Sequence, residues 1–332
     1  FAGQYNLRPG VALTAEQMAR LTSDIVWLVE QEVTLPDGST VTALVPKVYV
    51  AVKPGDIDGS GALISANSIQ LNLTGDLNNA GTVSGRNVTQ ITAQNINNQG
   101  RINANQLDLQ AANDINNIGG TLDANTSASI RAGHDINVTT TTHSASSQFG
   151  SQTTLNRVAG IYVGDGANAL VGEAPTNTLV IQAGNNVNLT AAQIDNAGIG
   201  NTVIKATQGD VNLSTVKLAN TDTFYRDARN GHSVSETADV GSNINGVGNV
   251  TLSAGRDINA KAATIDAGKA LSLSAGNDIQ ISAGQASQSL DEAHQRTNKG
   301  FLSSKTVTTR EQLHSTTAVG SNLGGDTVAI NA

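Results

Sequence analysis

The sequence predicts an all-β fold: a right-handed parallel β-helix with external β-hairpin excursions and a small α+β segment at its N-terminal end. Three observations carry this. A nine-residue motif returns every nineteen residues between Gly75 and Ala124, with Leu77, Ile96 and Ile115 in one phase and Gly81, Gly100 and Gly119 in another. A short fixed period means one supersecondary unit stacked on copies of itself. Each repeat holds only short alternating runs, such as Ile69 to Leu73 and Leu107 to Leu109, and no stretch long enough for a helix with an apolar stripe. Three short strands and their turns fill about twenty residues, which is one coil, and each strand pairs with its equivalent roughly 4.8 Å along. The composition agrees: aromatic residues are 3 % and charged residues 14 % of a chain with 34 glycines.

Residues 1 to 54 stand outside the repeat. Thr14 and Gln17 fit a capping box with Leu13 and Met18 as its hydrophobic staple, and Met18, Leu21, Ile25 and Leu28 recur at helical spacing. This predicts a helix over about 15–31. Pro36-Asp37-Gly38-Ser39 between two β-rich runs predicts a hairpin over 33–45. A solenoid end exposes core and unpaired strand edge, so the segment is expected to cap it.

The helix is expected to occupy 55–332, with excursions at about 139–178, 219–248 and 285–326. Nine or ten coils follow from the spacing. The Asn78, Asn97 and Asn116 column predicts an asparagine ladder that also satisfies turn backbone. Ile91 lies five residues before Ile96, where Leu71 and Leu109 lie six before their counterparts, so a bulge or slipped register is expected there. Val240 to Gly246 matches Val319 to Gly325, so a period of seventy-nine overlies the short one. Asn230-Gly231 is a strong hairpin signal within the second excursion.

The net charge of −8 without a basic run excludes the electrostatic footprint of a nucleic-acid binder. The absence of cysteine suits an exported chain. No apolar run reaches the eighteen residues of a membrane span. The chain opens at Phe1 without a Met or a signal peptide and is expected to be a fragment of something larger.

None of the nine aromatic residues falls in a plain coil by this division. Phe149, Tyr162, Phe224, Tyr225 and Phe301 lie in the excursions. Either they pin the hairpins against the helix wall, or they are exposed and touch a partner or a membrane interface. These five are the candidate contact residues.

Leu21 to Val29, Leu35-Pro36-Asp37-Gly38, Val45 to Tyr49, the Asn-Asn-x-Gly coils and Ala132 to Thr142 together resemble the two-partner-secretion exoproteins. These are the filamentous haemagglutinins and the CdiA effectors of contact-dependent growth inhibition, and the likeness runs over essentially the whole chain. The resemblance implies a secreted protein at the surface of a Gram-negative bacterium, exported through an outer-membrane β-barrel partner. It implies a filament that carries a toxic domain at its C-terminus. In that setting this stretch is the repeat region that associates with the target cell's outer membrane and helps deliver the toxin. The competing reading is a haemagglutinin-type adhesin for a host glycan or receptor.

A parallel β-helix can also be a polysaccharide lyase or hydrolase, which needs clustered carboxylates on one wall. Asp76, Asp114, Asp135, Asp257 and Asp278 recur at one phase, but a catalytic residue is needed once, so they are expected to be turn formers. His134, His143, His232, His294 and His314 show no metal-ligand spacing. No catalytic residue, cofactor or metal site is expected, and the fragment is expected to be monomeric.

Overall fold

The computed structural model describes residues 10–11, 25–34, 39–49, 63–164, 177–227 and 229–332. The chain divides into two compact units, Phe1–Ser60 and Gly61–Ala332. In the first, Ile25–Thr34 and Thr40–Tyr49 pair antiparallel from Ile25↔Tyr49 to Thr34↔Thr40. This corrects the helix expected over about 15–31: residues 25–31 are strand, while the capping box at Thr14 lies outside the described residues. Val26, Val29, Val33, Val41 and Val45 supply β-branched residues whose side chains suit a pleated surface better than a helix. Pairing across the hairpin therefore overrides the helical spacing of Ile25 and Leu28.

The second unit is a three-faced parallel β-helix. One face is an eight-stranded sheet running from Leu77–Asn79 to Ile279–Ser282. The other two share a fourteen-stranded sheet. In its first coils both faces belong to single long strands, Leu63–Asn72, Thr82–Ala93, Arg101–Ala111 and Thr121–Ala132. Beyond them the faces separate: Gly160–Val163 pairs on the first half of Thr121–Ala132 and Thr178–Ala183 on its second half.

Each face stacks inward aliphatic residues in ladders. Leu71, Ile91, Leu109, Ile130, Ile181, Ile204, Leu252, Leu273 and Ile330 form a continuous column of paired residues. Those from Ile91 to Leu252 are wholly buried. Burying such a side chain contributes about 1.5–3 kcal/mol, so the stack of coils is the main source of stability. Ile91 sits in register in this column, and the irregularity expected beside it is displaced. The pairing shifts between Ser84 and Val88, so the corner at 85–87 absorbs the residue missing from the turn before Ile96.

Two asparagine ladders run along the first face. Asn78, Asn97, Asn116, Asn137, Asn188, Asn212 and Asn259 point outward, each amide donating to its neighbour's carbonyl oxygen at 2.8–2.9 Å. The turn backbone is satisfied by a different, inward column. Asn79 donates to Asn98 at 2.8 Å and Asn98 to Asn117 at 2.7 Å, and these amides also reach the carbonyls of Gly81, Gly100 and Gly120. Gly100 and Gly120 are required by the close approach: a Cβ on Gly100 would lie 1.9 Å from the Gly81 carbonyl oxygen, and one on Gly120 2.5 Å from the Asn117 and Asn98 amides.

Three hairpins leave the helix, Thr141–Ser147 with Gly150–Arg157, Val216–Asp227 with Asn230–Val240, and Gly284–Lys299 with Ser304–Val319. All three leave the corner between the eight-stranded face and the following face, after Ile136–Thr139, Val211–Ser214 and Ile279–Ser282. They pair with one another into a six-stranded antiparallel sheet, here the wing. The excursions are therefore shorter than expected. Gly160–Val163, Asn243–Gly246 and Asn322–Gly324 are coil strands. The seventy-nine-residue match thus marks the point where the chain re-enters the helix. There Ser242 and Ser321 clamp the corner: the Ser242 hydroxyl donates to Leu189 O and accepts from Ala192 N, and that of Ser321 donates to Ser282 O and accepts from Ala263 N.

Candidate functional site

The wing is a single layer. Of its strand residues with a described environment, Gly231, Asp239 and Gly284 are buried and the rest are exposed or half-buried. Its strands lengthen from one hairpin to the next, 7 and 8 residues, then 12 and 11, then 16 and 16. At roughly 3.3 Å per residue the longest reaches about 50 Å. Neighbouring hairpins are joined by four residue pairs, Gly150↔Asp222 to Thr153↔Ala219, and then by eight, Gly231↔Ala293 to Ala238↔Ala286.

Four of the five candidate aromatics lie at or near the hairpin ends and are exposed. Phe149 stands beside the first turn at 53 % exposure, Phe224 and Tyr225 precede the second turn at 49 % and 57 %, and Phe301 occupies the third turn at 100 %. They do not pin the hairpins to the helix wall. Within the wing, the Phe224 ring lies tilted 6.2 Å from that of His232. Leu302, 93 % exposed beside Phe301, completes the third tip. Sequence reasoning missed it by searching for aromatic residues alone, although its place in a Gly-Phe-Leu-Ser turn was visible.

Tyr162 belongs elsewhere. It sits in the coil strand Gly160–Val163, paired with Asp123 and Asp195, not in an excursion. Its ring folds onto Gly160, where a Cβ would meet it at 2.3 Å. Burial, then the charges of Asp195 and Asp123, push the phenol above its ordinary value.

The recurring aspartates form a third ladder. Asp114 Oδ1 accepts the Asp135 backbone N–H at 3.0 Å, Asp135 Oδ1 that of Asn186 at 2.8 Å, and Asp210 Oδ1 that of Asp257 at 3.2 Å, which passes the pattern to Asp278. Each carboxylate thus holds the next coil's turn. The fold brings His134 to this ladder, 3.1 Å from Asp114 and 3.3 Å from Asp135. These three groups have the donor types for a metal ion. One oxygen of each carboxylate is engaged between coils, Asp114 Oδ1 by Asp135 N and Asp135 Oδ1 by Asn185 and Asn186. The cluster thus forms part of a coil-to-coil hydrogen-bond set.

Several charges of the wing are engaged within it. Arg310 makes a forked pair with Asp291 at 2.9 and 2.6 Å, and Gln312 donates to the same carboxylate at 3.0 Å. The Arg310 bond, then that of Gln312, holds the Asp291 carboxyl below its usual range. Asp227 is lowered by the Arg229 backbone N–H and by the Asn230 amide, which tighten the second turn. At the wing's root burial raises Asp239, but the Lys261 ammonium at 2.9 Å and the Gln285 N–H at 3.1 Å outweigh it and leave the group lowered. A shallow groove of about 470 Å³ crosses the wing, with Gln152, Asn220, Glu236 and Gln288 among its lining residues.

Several relatives match this chain, three CdiA proteins among them. A toxin CdiA of Yersinia pestis is 46 % identical over 93 residues, 28 % of this chain and 3 % of its own length. A deoxyribonuclease CdiA of Dickeya dadantii is 35 % identical over 277 residues, 79 % of this chain and 8 % of its own length. A tRNA nuclease CdiA of Yersinia mollaretii is 30 % identical over 275 residues, 77 % and 9 % respectively. A family model described as Hemagglutinin repeat matches residues 225–311. The chain belongs to the filamentous haemagglutinin and CdiA family. It spans less than a tenth of the length of these relatives, so the nuclease activities in their names are properties of those proteins. The matched 225–311 runs from the second hairpin tip through two coils and the third hairpin tip, which makes it a structural repeat of this family. No solved structure matches the chain.

Proposed function

We propose that this chain is a structural and delivery segment of a secreted, cell-surface filament protein of the contact-dependent inhibition type, and that its wing contacts the target cell's outer membrane. One observation supports this most: exposed large apolar side chains gather at or near the ends of all three hairpins, Phe149, Phe224 with Tyr225, and Phe301 with Leu302. Monomeric proteins rarely leave such groups at the points farthest from their core unless a partner or an apolar interface receives them. Phe and Tyr suit a lipid headgroup boundary, where an apolar body meets a wet edge. The stacked coils supply stiffness and reach. Coil-by-coil folding suits a chain that leaves its own cell unfolded through an outer-membrane β-barrel partner.

Co-sedimentation with outer-membrane vesicles and with protein-free liposomes tests the reading, beside a variant carrying Phe149→Ser, Phe224→Ser, Tyr225→Ser, Phe301→Ser and Leu302→Ser. Binding by the parent chain that the folded variant loses supports it. Equal binding, or none by either, refutes it. Binding to glycans alone would move the function to the adhesin reading, for which the shallow groove across the wing is the candidate surface.

A further inference from the structure

From Ile136–Thr139 onward, hairpins leave the helix at every second coil. The coils between them, with Val187–Thr190 and Ile258–Lys261, close the same corner through Ala191-Ala192 and Ala262-Ala263, and Ala191 and Ala262 take positive φ of 46° and 48°. This alternation has a physical cause. Two coils advance the helix by about 9.6 Å, and the two strands of one hairpin widen the wing by the same amount. A hairpin from every coil would crowd four strands into that distance, and one from every third would leave neighbouring hairpins unpaired. Helix and wing therefore grow in step, and Asp239 ties one hairpin root to Lys261 of the plain coil and to Gln285 of the next hairpin.

This arithmetic leaves the two edge strands of the wing unmatched, the seven-residue Thr141–Ser147 and the sixteen-residue Ser304–Val319. Ser304–Val319 pairs along all sixteen residues with Gly284–Lys299 on its inner side, and it ends the wing, with no strand on its outer side among the described residues. A long unpaired edge is a template for another strand. Hydroxyl pairs cross the strand seams of the wing, Thr237 with Ser287 at 2.7 Å, Thr297 with Thr306 at 2.9 Å and Ser144 with Thr153 at 2.8 Å. Thr308, Thr309, Thr316 and Thr317 offer the edge the same chemistry.

We propose that Ser304–Val319 is a docking edge for the first strand of a further Ser/Thr-rich hairpin, extruded two coils along by one more copy of the haemagglutinin repeat. The register follows from the existing seam. Ala286 pairs with Ala238 and Ala293 with Gly231, and the seventy-nine-residue period carries those positions to Thr317 and Arg310. The incoming strand therefore covers at least residues 310–317.

The test extends the chain by inserting a second copy of residues 241–319 after Val319. Thr308→Ser in the original hairpin distinguishes its peptides by mass. Hydrogen exchange then compares residues 310–317 of that hairpin in the extended and the 332-residue chains. Slowing by about tenfold at alternate amides is expected, since one N–H in two points outward from an edge. A variant with Ser287→Pro and Ser289→Pro in the inserted copy alone should abolish it. Unchanged exchange at the edge, while the inserted coils are protected, overturns the proposal. Protection that appears in the 332-residue chain and grows with its concentration assigns the edge to a second molecule and also overturns it.

Discussion

The two asparagine ladders allow one substitution to be weighed against its neighbour. Asn97 and Asn98 are adjacent, and each accepts one ladder bond from one side and donates one to the other, at 2.7–2.9 Å. They differ in what surrounds them: Asn98 is wholly buried and Asn97 faces outward. Asn98→Ala removes both ladder bonds and the contact with Gly100 O, leaves Asn117 Oδ1 without its Asn98 donor, and opens a small void. Two net hydrogen bonds at about 1 kcal/mol each and a buried acceptor at about 1–3 kcal/mol place the cost at roughly 3–5 kcal/mol. For Asn97→Ala, water replaces the lost partners, and about 0.5–1 kcal/mol is expected. Urea unfolding gives the two differences. Exchange at the Ile96 and Ile115 amides shows whether the loss is local, since stacked coils need not unfold together. Equal costs for the two variants would refute the claim that the inward column holds the turns.

Four further outcomes follow. Asp239→Ala strands the half-exposed Lys261 and the Gln285 N–H at the wing's root, and a loss of about 1–3 kcal/mol is expected in thermal melting or local exchange near Gly284. Because the folded Asp239 is lowered, its contribution is complete above the ordinary aspartate value of about 4 and is lost as pH falls through the lower folded value. Root amides should therefore lose protection in acid below about pH 4 in the parent chain and show no such step in the variant. Ala262→Gly should be neutral or stabilising by up to about 1 kcal/mol, and Ala262→Val destabilising, because the position has positive φ. Replacing residues 215–242 by Ala-Ala, the corner used at 191–192, should leave a β-rich folded helix while the third hairpin loses protection along 286–293, and collapse of the melting transition would show instead that the second hairpin belongs to the core.

The coil period, the aliphatic phases and the family resemblance were legible because a solenoid is held by contacts between equivalent residues, and equivalence is written as spacing. Leu77, Ile96 and Ile115 announce their ladder by recurring. The aspartate column was readable for the same reason. Other features were not. Ile25 to Gln31 shows helical spacing and forms a strand, because its partner at Thr40–Tyr49 is set by pairing and not by local pattern. Tyr162 looked like part of an excursion because one coil strand holds only four residues, too few for a period to show.

By itself, then, the sequence determined the coil, its aliphatic and outward asparagine ladders and the approximate points of departure, since these repeat within about twenty residues of chain. Tertiary structure alone decided that the three hairpins share one corner and one sheet, because residues 150–153 meet 219–222, and 231–238 meet 286–293, across distances no short period spans. The exposure of the tips was settled there as well, since a single-layer sheet offers an aromatic ring no wall to pack against.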